Sequence, residues 1–119
     1  MTEFNTVKAT QTQQAPKDLG LSSQTVAFSH YNNLSAQLPI NPETGELVAG
    51  DVREQAHQCF KNIKAIVESV GHVMTDIVKI TIYVRDIKNL DAIDAVYKSF
   101  FPIYVPARTP LAVGCSRAN

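Results

Sequence analysis

The sequence contains no tryptophan and only two cysteines, has no excess of either charge, and has no apolar run long enough to span a membrane. Lysine and arginine total 11, as do aspartate and glutamate, so the basic surface of a nucleic-acid-binding protein is not expected. Residues 1–5 carry neither the basic region nor the apolar stretch of a secretory signal. We therefore expect a cytoplasmic protein with no membrane partner.

The cysteines and histidines do not form a recognisable metal or redox motif. Cys59 and Cys115 are far apart and outside any Cys-x-x-Cys pair. A cytoplasmic setting favours two reduced thiols, and a disulfide between them is the alternative. The three histidines are scattered without partners at ligand spacing, so no metal is expected. Phosphate-loop, dinucleotide and hydrolase-elbow motifs are also absent from the sequence, so no cofactor is expected.

The length and composition are those of one globular domain. The 119 residues are 45% hydrophobic and 18% charged, which allows a buried core and argues against disorder. We expect a single domain over residues 1–119.

Alternating apolar residues predict strands at several places. A brief segment over residues 7–10 resembles a strand, so this end is either an edge strand or partly frayed. Residues 24–38 predict two strands joined by a turn at residues 30–33. Residues 39–46 form a loop containing Pro42 and Gly45. Residues 78–84 alternate most regularly between apolar and polar side chains and predict a further strand.

Helical spacing predicts two helices. Asp51 followed by Glu54 has the spacing of a capping box, and an apolar stripe then continues for about five turns to Gly71. Its polar side, including Gln58 and Asn62, is expected to face water. A second helix over residues 90–100 ends before Pro102. This order predicts an α+β fold with both helices on one sheet face, and the other sheet face requires association to be covered.

Three segments together resemble the Rid family, also called YjgF-like proteins. They are Ala15-Pro16 with the later run Ser35-Ala36-Gln37-Leu38-Pro39-Ile40-Asn41-Pro42-Glu43-Thr44-Gly45, the helix from Gln55 to Gly71, and Pro106-Ala107-Arg108-Thr109. The resemblance spans roughly residues 5–113. It implies a chorismate-mutase-like protomer with a mixed sheet, and a homotrimer whose clefts lie at subunit boundaries.

The resemblance also implies an activity. Rid proteins hydrolyse reactive enamines and imines of the 2-aminoacrylate type to 2-keto acids and ammonia, without a metal or cofactor. The implied type is a 2-iminobutanoate/2-iminopropanoate deaminase. The partners are then a small imine or 2-keto acid and two further copies of the chain.

The resemblance assigns site residues on the arginine strand and on the Ser-Ala-Gln segment. Arg108 matches the arginine that holds the substrate carboxylate, a role suited to a bidentate, permanently charged guanidinium. The alternative for Arg108 is an ion pair with an acidic neighbour. Ser35, Ala36 and Thr109 are expected to bind substrate beside it. The alternative for Ser35 is a strand serine bonded to backbone.

Four positions depart from the family pattern. Ser22 replaces a tyrosine of the cleft wall, and Asp94 replaces an asparagine on the second helix, where it is either close to the site or solvated. Pro110 lacks the backbone N–H that binds the carboxylate. The tail from Gly114 to Asn119 stands where members have a last strand with a water-activating glutamate. We therefore expect a domain without that strand.

Two other functions remain open. The first is a regulatory protein that binds small carboxylates such as 2-keto acids without catalysis. The second, weaker alternative is the endoribonuclease or translation inhibitor of older family names, which the neutral charge does not favour.

Overall fold

The computed structural model describes residues 7–18 and 20–114. Its strands are β1 (Val7–Thr10), β2 (Thr25–Phe28), β3 (Tyr31–Leu34), β4 (Lys79–Val84) and β5 (Ala107–Ala112), and its helices are α1 (Val52–Ser69) and α2 (Leu90–Phe100). Short 3₁₀ turns at Met74–Asp76 and Ile87–Asn89 precede β4 and α2. The order confirms an α+β fold.

The first sheet is an antiparallel β1-β2-β3 meander whose turn differs from the prediction. Phe28 pairs with Tyr31, so the connection is the two residues Ser29 and His30. Ser29 has a φ of 59°, the left-handed conformation that tight hairpins require. The predicted turn at residues 30–33 is therefore wrong, because Tyr31 begins β3.

The predicted continuation of this strand to Leu38 is also wrong. Beyond Leu34, the carbonyls of Gln37, Leu38 and Ile40 bond to side chains of α1. Asn62 Nδ2 donates to the carbonyls of Leu38 (3.2 Å) and Ile40 (2.9 Å). Cys59 Sγ lies 3.4 Å from the carbonyl of Gln37. These bonds hold the segment against the helix.

Helix α1 begins and ends as predicted. The Asp51 side chain accepts from the amides of Arg53 (3.0 Å) and Glu54 (3.1 Å), and the Glu54 side chain accepts from the Asp51 amide (3.5 Å). Both halves of the capping box are therefore present. At the other end, Gly71 adopts a φ of 84° just beyond the C-cap Val70, the left-handed conformation that glycine allows at low cost.

Asn62 corrects the prediction for the polar side of α1. The side chain was expected to face water, but it is 1% exposed. Its amide nitrogen donates to the carbonyls of Leu38 and Ile40, and its oxygen accepts from Gln58 Nε2 at 2.8 Å. A buried amide is stable only when its polar atoms are paired in this way.

The second sheet is the parallel pair β4-β5, with Ile80 opposite Arg108. Ile80 and Val84 of β4 point inward and pack with Phe60 of α1 and Tyr97 of α2. Both helices therefore cover one face of this pair, as predicted. The expected single mixed sheet is not found in residues 7–18 and 20–114, because no described strand pairs with members of both sheets.

The other face of the β4-β5 pair is exposed in the isolated chain. Strand alternation places Lys79, Thr81 and Tyr83 on it, and the parallel register adds Thr109 and Leu111. Tyr83 is 60% exposed and Leu111 is 44% exposed. We call these five residues the outer face.

Candidate carboxylate-binding site

Arg108 lies on the helix-covered side of β5, where it meets α2. Its Nη1 donates to Asp94 Oδ1 at 2.5 Å. Its guanidinium carbon lies 5.0 Å from the centre of the Tyr97 ring, within the range of a cation–π contact. The guanidinium is therefore held from one side by a carboxylate and from another by an aromatic ring.

Helical spacing brings the partners of Arg108 together. Asp94, Tyr97 and Lys98 are at positions i, i+3 and i+4 of α2, so they share one helix face. Tyr97 is buried and packs against Phe60 and Phe101, which fixes the ring beneath the guanidinium. The site therefore stands on the hydrophobic core.

A cleft of about 430 Å³ opens at this point. Its lining residues are Asp94, Tyr97, Lys98, Val105, Pro106 and Arg108. The side chains of Arg108 and Asp94 are 23% and 30% exposed, so both are accessible to a ligand. The cleft combines an apolar wall with one anionic and two cationic groups, as small-molecule sites commonly do.

The electrostatics keep Arg108 charged. The hydrogen bond to Asp94 raises the pKa of Arg108; desolvation opposes this effect, and the negative charge of Asp94 adds to it. Desolvation also raises the pKa of Tyr97, while the positive charge of Arg108 acts in the opposite direction. The Tyr97 hydroxyl is buried and has no hydrogen-bond partner within the described part of the chain. The cleft thus presents a fixed cation to any anionic ligand.

Thr109 lies apart from this cleft. It belongs to the outer face, where its Oγ1 accepts from Lys79 Nζ at 2.5 Å. Alternation along β5 therefore directs Thr109 and Arg108 to opposite faces of the strand.

Ser35 and Ala36 follow β3 and do not line the Arg108 cleft of their own chain. The Ser35 amide donates to the carbonyl of Gln24 (3.0 Å), and the Ser35 hydroxyl donates to the carbonyl of Ser23 (2.6 Å). Ala36 is exposed. Of the four expected site residues, the protomer brings only Arg108 into the cleft.

The positions that depart from the family pattern have distinct environments. Asp94 contacts Arg108 directly, so the solvated alternative is excluded. Ser22 donates from its hydroxyl to Asp18 Oδ2 at 2.5 Å. Pro110 pairs with Ile82 in the β4-β5 register. Of the tail, Gly114 is described, and residues 115–119, including Cys115, lie outside the described residues.

Sequence reasoning missed two residues of α2 that line the cleft, Tyr97 and Lys98. Tyr97 was assigned only to the apolar stripe of the second helix, and Lys98 was not singled out. The available signal was their spacing from Asp94, which places all three on one helix face. That signal becomes informative only when the register of β5 places Arg108 opposite them.

In residues 7–18 and 20–114, no group of three or more histidine, cysteine, aspartate or glutamate side chains has an arrangement that could hold a metal ion. None of the helices in these ranges combines the length and the apolar character needed to cross a membrane.

The fold and the cleft define a class: small α+β proteins with one arginine on a parallel strand pair facing a helix. The model of the family described as Endoribonuclease L-PSP matches residues 12–119. The chain therefore belongs to this family, which is also called the Rid or YjgF-like family.

Three relatives illustrate the membership. This chain is similar to the 2-iminobutanoate/2-iminopropanoate deaminase of Escherichia coli K12, with 39% identity over 109 residues that cover 89% of this chain and 84% of the relative. The Rid-family protein YyfA of Yersinia pestis superimposes with a TM-score of 0.88 at 35% identity. The match covers 91% of this chain and 86% of YyfA. Escherichia coli TdcF, solved with bound serine, superimposes with a TM-score of 0.84 at 37% identity. The match covers 89% of this chain and 85% of TdcF.

Proposed function

We propose that this protein hydrolyses 2-imino acids to 2-keto acids and ammonia. Water adds to the imine carbon, a tetrahedral carbinolamine forms, and its nitrogen leaves as ammonia while the carbinol becomes the keto oxygen. One water is consumed for each imine. The deaminase name of the Escherichia coli relative supports this reaction class.

The observation that carries the proposal is Arg108 in the cleft. A 2-imino acid has a carboxylate next to its reactive carbon, and arginine is the side chain best suited to a bidentate bond with it. Only Nη1 of Arg108 is used by Asp94, so the other guanidinium N–H groups remain as donors. Binding through the carboxylate directs the imine carbon into the cleft and holds it for attack.

The proposal includes an assembly of three chains. Their outer faces pack together, and the clefts lie at the subunit boundaries, where a neighbouring chain supplies a second wall. In this arrangement Ser35, Ala36 and Thr109 contribute to the site through backbone groups or from a neighbouring chain. The exposed apolar side chains of Tyr83 and Leu111 support an association of this kind.

An activity assay tests the reaction. The 2-aminoacrylate substrate is generated in situ, and its consumption is measured with wild-type protein, Arg108→Ala and Arg53→Ala. Arg53 is an exposed arginine on α1, outside the cleft, and serves as the matched control. We expect Arg108→Ala to lose about 10- to 100-fold in kcat/KM, the scale of a lost hydrogen bond to a charged group.

The outcomes are distinct. Wild-type consumption no faster than buffer would refute the enzyme function. A loss in Arg53→Ala equal to that in Arg108→Ala would refute the role of the cleft, because it would show a general effect of removing positive charge.

A second candidate function is binding of 2-keto acids without catalysis. The observation that favours it is the pairing of Asp94, the only carboxylate among the described residues lining the cleft, with Arg108. An ion-paired carboxylate is a weak general base, so the described cleft has no evident group to activate water. Calorimetric binding of 2-oxobutanoate that depends on Arg108, together with no imine consumption, would select this function.

Endoribonuclease activity, which the family description names, receives little support from the residues. The chain has equal numbers of acidic and basic side chains, and RNA binding depends mainly on neutralising phosphates with positive charge. Cleavage of RNA by highly purified protein, abolished in Arg108→Ala, would establish this function instead.

A further inference from the structure

The ion pair between Asp94 and Arg108 has a consequence for which ligands the cleft accepts. The two side chains belong to different elements, α2 and β5, and meet at the cleft with a distance of 2.5 Å between Nη1 and Oδ1. The inference below rests on the proposed function, since it concerns a ligand whose carboxylate binds Arg108.

A ligand carboxylate on Arg108 comes to lie beside the Asp94 carboxylate. Two negative charges then share one guanidinium, and like charges at such short range repel each other. A ligand that carries a positive charge next to its carboxylate removes this repulsion. An α-amino acid or a protonated 2-imino acid has its nitrogen on the carbon that bears the carboxylate. The carboxylate of such a ligand can therefore contact Arg108 while its cationic nitrogen contacts Asp94.

Asp94 has the acceptor capacity for such a contact. Within the described part of the chain, the Asp94 side chain bonds to Arg108 through Oδ1. A carboxylate has two oxygens and about four acceptor positions, so Oδ2 remains able to accept from an ammonium or iminium N–H. The 30% exposure of the Asp94 side chain leaves it open to a ligand.

The third charged group of the cleft does not reverse this preference. Lys98 lies one turn further along α2, and its side chain is exposed. A solvated ammonium is strongly screened by water and salt, whereas the partly buried ion pair is screened less. The local charge close to the Arg108 guanidinium is therefore set mainly by Asp94.

We infer that Asp94 is a specificity-determining residue that makes the cleft select zwitterionic ligands, meaning α-amino acids and protonated 2-imino acids, over simple carboxylate anions. In the reaction, Asp94 contacts the iminium nitrogen and favours its protonated form. A protonated imine is the form that water attacks more readily. A 2-keto acid product lacks this positive charge, so the same contact promotes its release.

A pair of nearly isosteric ligands tests the inference. Alanine and lactate differ only in an ammonium or a hydroxyl on the same carbon. Calorimetry with the full chain at pH 7 measures the ratio of their Kd values for wild type, Asp94→Asn and Asp94→Glu. Asp91→Asn is the matched control, because Asp91 is an exposed acid of the same helix that does not line the cleft.

We expect wild type to bind alanine at least about tenfold more tightly than lactate, the scale of one hydrogen bond between charged groups. Asp94→Asn should bring the ratio close to one by weakening alanine and strengthening lactate. Asp94→Glu keeps the charge and should retain most of the preference. Asp91→Asn should behave as wild type. A thermal melt of each variant verifies that the chain is folded.

The contrary outcomes separate this inference from the proposed function. If both ligands bind in a way that Arg108→Ala abolishes, but the ratio is the same in Asp94→Asn and wild type, the carboxylate site stands and the role of Asp94 is refuted. If Asp91→Asn changes the ratio as much as Asp94→Asn, a general effect of charge replaces the specific one. If neither ligand binds, both the site and the inference fail.

Discussion

Arg108 illustrates how single residues define the chemistry of this cleft. The hydrogen bond to Asp94 raises the pKa of Arg108, so the guanidinium stays positively charged over the whole pH range in which proteins are studied. Any pH dependence of activity between pH 5 and 9 must therefore come from another group or from the substrate. The Tyr97 ring restricts the guanidinium, which lowers the entropic cost of binding a ligand.

Cys59 provides a prediction at the same scale. Burial raises the pKa of its thiol from 9.0 to about 12, and the thiolate is the reactive form. In a Cys115→Ser background at pH 8.5, iodoacetamide should modify the native protein on the order of 10²- to 10³-fold more slowly than the urea-unfolded protein. Cys59→Ala in the same background measures the reaction of iodoacetamide with groups other than cysteine. Equal rates in the two states would contradict the burial of this thiol.

The same pKa difference affects stability, and its sign follows from linkage. Below pH 9 the folded and unfolded states both keep the Cys59 proton, so this group adds no pH dependence. Between the unfolded value of 9.0 and the folded value of about 12 the unfolded state loses its proton first. The contribution of Cys59 to the free energy of unfolding therefore decreases with rising pH across this window.

At the residue scale, the sequence singles out Arg108 because a carboxylate clamp requires a guanidinium. The structure places this side chain in a cleft, and its role in binding a carboxylate stays a prediction. The sequence allows two interpretations of Asp94, since its distance from Arg108 depends on how α2 packs on β5. The cleft position of Tyr97 was missed because an aromatic residue in the apolar stripe of a helix is usually a buried core residue without a role in a binding site.

At the scale of elements, local signals predicted α1 and β4 well. The capping box at Asp51 and the glycine after Val70 act within one helical turn, so the helix boundaries can be read from the sequence. The strand that was extended to Leu38 shows the limit of such signals. Residues 35–38 alternate in polarity, but the carbonyls of Gln37 and Leu38 bond to Cys59 and Asn62, over 20 positions away.

The capping box yields a stability prediction. Asp51→Ala removes the acceptor of two amide N–H groups at the start of α1 and should lower the free energy of unfolding by about 0.5–2 kcal/mol. Urea titration followed by circular dichroism measures the change. Glu43→Ala, which removes an exposed carboxylate in a loop, is the control and should stay within about 0.5 kcal/mol of wild type. A smaller loss in Asp51→Ala than in the control would contradict the cap.

At the scale of the whole molecule, one face of the β4-β5 sheet has no cover within the chain. The helices cover only one face of the β4-β5 pair, and the outer face leaves Tyr83 and Leu111 exposed. Exposed apolar surface of this kind commonly marks a contact with another chain. In the proposed trimer the outer faces of three chains cover each other, which also brings a neighbouring chain to each cleft.

The association is tested by changing the outer face. Wild-type protein should elute in size-exclusion chromatography with light scattering at three times the 13.1 kDa chain mass. Tyr83→Glu places a charge in the proposed interface, where desolvation is costly, and should shift the mass toward one chain. Lys61→Glu, an exposed substitution on α1, should leave the mass unchanged. A wild-type mass of one chain at high concentration would refute the trimer.

A crystal structure of the protein with 2-oxobutanoate bound is the most direct test of the Arg108 site. We expect the carboxylate of the ligand to bind the Arg108 guanidinium in the cleft, with nitrogen-to-oxygen distances of about 2.7–2.9 Å, and the keto carbon to face the space beside Asp94. A ligand bound at another place, with Arg108 still paired to Asp94 alone, would refute the proposed site.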